Sequence, residues 1–390
     1  MTPVTGGPPT DTQAQEASGQ RVSWFELFYD LMVVAAISLV GKVYLKSPLW
    51  STTGQILVAM TVLFTVWLLT TLFYGLHRGD SFGRRLLLVA QMVAIALAVL
   101  ALDDAGLQDA SGLGALAVVL VVPALLFANA SRSGAPASGP SRTLAICCGL
   151  AAGLLAIGAV VTPPEGSATT EWIVQGFAVA AILVILVPLL AIVLPRVRAS
   201  LDWHHLDERF GLIVIIVLGE SFLNLIGSVS SVGSIPSMGF FTLTIVIAYC
   251  LWAIYFTSVQ TVGAPRTVTR LRVWIIGHAF LVFAAVAVGV EFTSLTVGQV
   301  KGVAMPDGNW TALPMAGAVG AVLLLTSMVQ GARRQIVVVH IVAFATLVVL
   351  AAIDLAQVDS TSTVLVTAGA FVVVADTLAC AVINRRPAGA

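Results

Sequence analysis

The chain has 390 residues, of which 58% are hydrophobic and only 10% charged, with a mean hydropathy of +1.01. Soluble domains carry about 25% charged residues, so an ordinary soluble domain is excluded. Nineteen basic residues balance nineteen acidic ones, and no segment is basic enough to track a phosphate backbone, which excludes nucleic acid as a partner.

Residues 1–20 are dominated by Thr, Gly, Pro, Gln, Ser and Ala, show no periodicity and read as a disordered tail. They lack the apolar core of a signal peptide. Apolar runs follow at 24–45, 51–76, 84–101, 113–130, 143–161, 172–194, 208–228, 238–259, 272–291, 312–330, 335–353 and 362–383. Each is long enough to cross a hydrocarbon core of about 30 Å. The pattern predicts an all-α, polytopic transmembrane bundle of twelve helices embedded in a lipid bilayer. Short connections carry the expected breakers, among them Ser47-Pro48, Pro163-Pro164 and Gly263-Ala264-Pro265.

Charge sets the expected orientation. With the N-terminus cytoplasmic, sixteen of the nineteen Lys and Arg residues fall on inside ends and loops, and only Lys42, Lys46 and Lys301 lie outside. The third, fifth, ninth and eleventh connections are acidic. That skew follows the positive-inside rule and places both termini in the cytoplasm.

The chain also predicts an internal repeat. A shift of 182 residues lays Glu26 on Glu208, Phe28 on Phe210, Phe73 on Tyr255, Tyr74 on Phe256 and Arg84 on Arg266. With a five-residue gap, Arg85 meets Arg272. Six spans separate the two copies, so both would insert with the same orientation, a plan common among transporters. The expected units are a tail at 1–20, a first six-helix repeat at 21–200 and a second at 201–384.

Within these runs the ionisable residues are the candidate functional groups, because charge at membrane depth is costly. Glu26 and Asp30 share one helix face. They fit a helix N-terminus, where acids complement the macrodipole. They fit equally a pair turned into the bundle to meet Arg209 or to bind a proton or cation. His204 and Glu208 stand one turn apart, as do His205 and Arg209. Such pairs can cap a helix, handle protons or hold a metal, but the arrangement is not HExxH and no third ligand is evident. No cap explains Glu220, deep in its apolar run; an acid there must be neutral, paired or hydrated. His278 lies at a depth similar to Gln91 in the third helix. For His278 and His340, a hydrogen bond to a neighbouring helix is the simplest expectation. Asp376 sits inside the last run, and Tyr29, Tyr74 and Tyr255 are placed to bridge such groups. Cys147, Cys148, Cys250 and Cys380 all fall in apolar runs and read as small core residues, so no metal or cofactor is expected. Asn309-Trp310-Thr311 fits the glycosylation pattern.

Ser23-Trp24-Phe25-Glu26-Leu27-Phe28-Tyr29-Asp30-Leu31, with His205-Leu206-Asp207-Glu208-Arg209-Phe210-Gly211-Leu212 and Ile215-Ile216-Val217-Leu218-Gly219-Glu220-Ser221, resembles the bacterial low temperature requirement protein A family. Phe73-Tyr74, His278 and Val290-Glu291 match as well, and the likeness runs from about residue 21 to 383. Gly75-Leu76-His77-Arg78 departs from the family pattern. The resemblance implies a multi-pass bacterial inner-membrane protein and no particular reaction. Phe28-Tyr29-Asp30 is also similar to the Phe-Ser-Asp of a family of six-helix potassium channels, although Phe210-Gly211-Leu212 in the second half lacks the acid.

Three functions are weighed. A transporter or channel for protons, cations or a small solute would line its path with Glu26, Asp30, His205, Glu208, Arg209, Glu220 and His278. A membrane-embedded lipid-modifying enzyme would use the same groups as acid/base pairs, but the chain has no DDxxD-like, GxSxG or HExxH motif. A structural or sensory protein would use them only to fasten helices.

Overall fold

The computed structural model describes residues 22–46, 50–77, 81–105, 110–132, 137–162, 168–232, 238–259, 265, 267–301, 312–330, 332–356 and 363–385. Among them are twelve helices and no strand. In the first half, α1 is Trp24–Lys46, α2 Trp50–Leu76, α3 Phe82–Ala105, α4 Ala110–Ala130, α5 Ser138–Val161 and α6 Ala168–Pro188. A π-helical turn, Leu189–Val193, and a last turn, Leu194–Val197, continue α6. In the second half, α7 is Trp203–Val232, α8 Met238–Val259, α9 Val268–Lys301, α10 Ala312–Gln330, α11 Arg334–Ala356 and α12 Thr363–Arg385. Ten of the twelve are long and apolar enough to cross a membrane, and α8 and α10 add the apolar stretches Thr242–Phe256 and Met315–Val329. The tail at 1–20 and the Asn309 motif lie outside the described residues.

Several helices outrun their apolar windows. α7 starts at Trp203, five residues before the apolar run, because Asp202 caps it. The Asp202 Oδ1 accepts the His205 amide at 3.2 Å, satisfying one of the orphan donors of the first turn. His204, His205 and Glu208 are therefore helical residues.

Burial is inverted relative to a soluble protein. Leu86, Val89, Val93, Leu97 and Leu100 recur at helical spacing along α3 and are exposed, while Gln91 on the opposite side is fully buried. Val338, Ile341, Val342 and Val349 do the same on α11, where His340 is buried. An apolar exterior around buried polar groups is the arrangement a hydrocarbon solvent selects.

The packing order recurs between the two halves. α1 packs on α2 and α3, α2 on α4 and α6, α3 on α4, α4 on α5, and α5 on α6. Likewise α7 packs on α8 and α9, α8 on α10 and α12, α9 on α10, α10 on α11, and α11 on α12. The halves meet where α1 and α2 lie against α7 and α9. α1 and α7 run in the same direction, since Asp30 faces Arg209 and Ser38 faces Asn224 further along both helices.

The π-helical turn has a local cause. The Leu194 amide donates to Leu189 O, and the next residue, Pro195, has no amide proton. The Leu190 carbonyl is left without a helix donor, and Arg272 Nε of α9 donates to it at 2.8 Å. Arg272→Leu is expected to lower the thermal unfolding midpoint in detergent, at a cost of about 1–2 kcal/mol for the carbonyl it abandons.

Candidate functional site at the α1–α7 junction

The chain enters α1 through a capping box. Ser23 Oγ accepts the Glu26 amide at 3.2 Å, and Glu26 Oε2 accepts the Ser23 amide at 2.9 Å. The other Glu26 oxygen, Oε1, lies 3.6 Å from His205 Nε2, with both side chains buried. Glu208 Oε2 accepts the Val22 amide at 3.1 Å, so this acid reaches across to the segment before α1. Glu26 is thus a helix cap and a partner for α7 at once. The first oxygen has the place expected at a helix N-terminus, while the second meets His205 and not Arg209, which pairs with Asp30.

One turn deeper, Asp30 and Arg209 form a two-pronged ion pair with both side chains fully buried. Arg209 Nε donates to Asp30 Oδ2 at 3.2 Å and Nη2 to Oδ1, while Trp67 Nε1 of α2 donates to Oδ1 at 2.7 Å. The guanidinium carbon lies 5.8 Å from the Trp67 ring centre and 6.0 Å from that of Tyr29. A charge this deep is tolerated only because it is paired and hydrogen-bonded. The acid on α1 therefore chooses the arginine on α7, three helices meet on one carboxylate, and the two halves are fastened there.

Around the pair the environment divides. On one side the Tyr29 hydroxyl meets Thr70 Oγ1 at 3.3 Å, and Gln91 Oε1 of α3 lies 3.3 Å from the same oxygen. Two donors near Tyr29, Arg209 Nη1 and Gln91 Nε2, are buried and have no hydrogen-bond partner among the described residues. On the other side is an aromatic stack. Phe210 sits 4.8 Å from Trp67, 4.2 Å from Trp274 and 4.8 Å from His278, measured between ring centres. His278 Nδ1 faces the Trp274 carbonyl at 2.8 Å, which can only accept, so Nδ1 carries a proton, and Nε2 meets the Tyr255 hydroxyl at 3.0 Å. His278 is therefore held by α8 and by its own helix. Its rough counterpart Gln91 bonds to α2 in the same manner.

Further along α1 and α7 the lining turns apolar at Val33, Val34, Ile37, Ile213, Val214 and Val217, all buried. Polar groups then return: Asn224 Nδ2 donates to Ser38 Oγ at 2.7 Å, and Ser221 Oγ donates to the Val217 carbonyl at 3.0 Å. Glu220 is partly buried here, within electrostatic reach of Lys42 of α1. Glu291 of α9 is buried. Of the seven residues singled out, Glu26, Asp30, His205, Glu208 and Arg209 gather at one end of the junction. His278 flanks them through the Phe210 stack, and Glu220 stands apart, beyond the apolar stretch.

Sequence reasoning missed Trp67 and Thr70, which hold the pair from α2. A signal for Trp67 was present. Its indole N–H lies mid-span, away from the interfacial belt, and a buried indole seeks a partner.

An apolar exterior, twelve packed helices and a charged pair sealed inside define a polytopic helical membrane protein. A family model described as "Bacterial low temperature requirement A protein (LtrA)" matches residues 21–375, and the chain belongs to the LtrA family. Among curated proteins and among solved structures, none matches the chain.

Proposed function

We propose that the chain is a transporter or channel for protons, cations or a small solute. In this reading it lies in the bacterial inner membrane with both termini cytoplasmic and is built from two parallel six-helix repeats. The recurring packing order and the common direction of α1 and α7 support the repeat. One observation carries the transport reading: Arg209 Nη1 and Gln91 Nε2 are buried donors without a hydrogen-bond partner among the described residues, beside an ion pair where the halves meet. A network serving only to fasten helices gains by satisfying its donors, since an unmet one costs about 1–3 kcal/mol. Two unmet donors on either side of Tyr29 ask for an acceptor such as water or a solute group.

A structural or sensory role is the second reading. It is favoured by the capping box that occupies half of Glu26 and by the three hydrogen bonds that Asp30 accepts.

Proton and cation flux in proteoliposomes tests the proposal, comparing the intact chain with Glu220→Gln, which keeps the shape and removes the titratable charge. The transport reading expects flux that falls at least about tenfold in the variant while its unfolding midpoint stays put, since Glu220 is only partly buried. Absence of flux in both, with equal stability, would overturn the proton and cation version. A marked loss of stability in the variant would assign Glu220 to fastening helices.

A further inference from the structure

The second half holds a cluster that the α1–α7 junction does not use. His340 of α11 and Asp376 and Cys380 of α12 are 1%, 3% and 1% exposed. One ligand atom from each lies within 4.8 Å of the other two. His340 Nδ1 stands 2.9 Å from Asp376 Oδ1 and 2.8 Å from Oδ2, and the Cys380 thiol donates to Oδ2 at 3.9 Å. Asp376 and Cys380 are one turn apart on the same face, so their spacing is fixed by the helix. A second thiol, Cys250 of α8, bonds to Thr377 and is within electrostatic reach of Asp376. Three side chains that could ligate a metal therefore converge from two helices in the apolar interior, with the Cys250 thiol nearby on a third.

We propose that His340, Asp376 and Cys380 form a binding site for a divalent transition-metal ion of the zinc type, with Cys250 or water at the fourth position. Ligand chemistry selects the ion. One thiolate, one imidazole and one carboxylate suit zinc and its borderline neighbours, whereas magnesium and calcium require oxygen. Distances fit as well. Ligand atoms about 2.0–2.3 Å from a tetrahedral ion lie about 3.3–3.8 Å apart, so side-chain rotations of about an ångström close the site.

Metal binding displaces protons, because a ligating thiol must be a thiolate and a ligating imidazole nitrogen must carry no proton. With a divalent ion, a neutral imidazole, a carboxylate and a thiolate sum to zero, as a low-dielectric interior demands. This ligand set distinguishes the cluster from Asp30 and Arg209, whose pair has no place for a cation. The inference does not depend on the transport reading.

Cobalt(II) titration of the untagged, chelator-treated protein in detergent decides the matter. Binding of one equivalent is expected, with the visible bands of tetrahedral cobalt and a near-ultraviolet thiolate-to-cobalt band. Proton release should accompany binding in weakly buffered solution, and added zinc should displace the cobalt. Cys380→Ser should abolish the thiolate band, and Asp376→Asn should weaken binding about a hundredfold. Cys147→Ser should change neither. Absence of a thiolate band in the intact chain would overturn the proposal whatever the variants do, and would leave the cluster a hydrogen-bonded fastening between α11 and α12. A thiolate band that survives in a folded Cys380→Ser protein would overturn it equally.

Discussion

Asp30→Ala is expected to destabilise the protein by about 3–5 kcal/mol, read as the unfolding midpoint in detergent. The change strands the Arg209 guanidinium, which is fully buried and draws its charge balance and two of its hydrogen bonds from that carboxylate. It also removes the acceptor of the Trp67 indole. Asp30→Asn should cost less, since the amide oxygen still accepts from Arg209 and Trp67, but the charge remains uncompensated. The informative variant removes both partners. A double change, Asp30→Leu with Arg209→Met, leaves no buried charge and should recover most of the loss, because buried ion pairs contribute little net stability over apolar replacements. A stable double variant with no flux would assign the pair to the transport path. Equal stability with unchanged flux would assign it to joining the halves.

Gly289→Val is expected to cost about 3 kcal/mol, at the upper end for overpacking. A Cβ at Gly289 of α9 would fall 2.7 Å from Ser221 Cβ and 3.1 Å from Ser221 Cα, and it would meet Ser221 Oγ as well. The Cα belongs to the α7 backbone, so no rotamer change relieves the contact and the two helices must separate. Small residues at such a crossing let membrane helices approach closely, which is where their packing energy lies. Separation would also disturb Asn224 and Ser38 one turn on. Gly219, on α7 itself, has nothing within 4 Å of its added Cβ, so Gly219→Ala should leave the midpoint unchanged or raise it. Equal losses in the two variants would contradict the crossing geometry.

The helices were legible because hydropathy sums over a whole run and does not need to know which side faces what. Their ends were less so. The Asp202 cap and the first turn of α7 are polar, and an apolar window begins only at Glu208. Asp30 was legible as a buried acid, and Arg209 as one of its options, since both sit just inside the start of a helix. What could not be read was the division of labour between neighbours. Glu26 and Asp30 share a face, yet one closes a capping box and approaches His205 while the other takes Arg209. That choice is made by how α1 and α7 are set against each other, a three-dimensional quantity. His340 and Asp376 lie 36 residues apart in sequence, and only the packing of α11 on α12 turns them into partners. Cys380 is the clearest case. Its burial is what an apolar run predicts for a small residue, while its chemistry comes from the acid one turn before it.

The wide turn in α6 has a mechanical consequence. α6 runs into α7 through residues 198–202, the covalent passage between the halves, and Arg272 grips the Leu190 carbonyl just before it. On its far side the Asp202 amide donates to the Gly75 carbonyl at 3.2 Å, tying the start of α7 to the end of α2. Four helices are thereby clamped at one corner of the protein. If the halves tilt against each other, this corner is the pivot, and displacement grows with distance from it toward Ser38, Asn224 and Glu220.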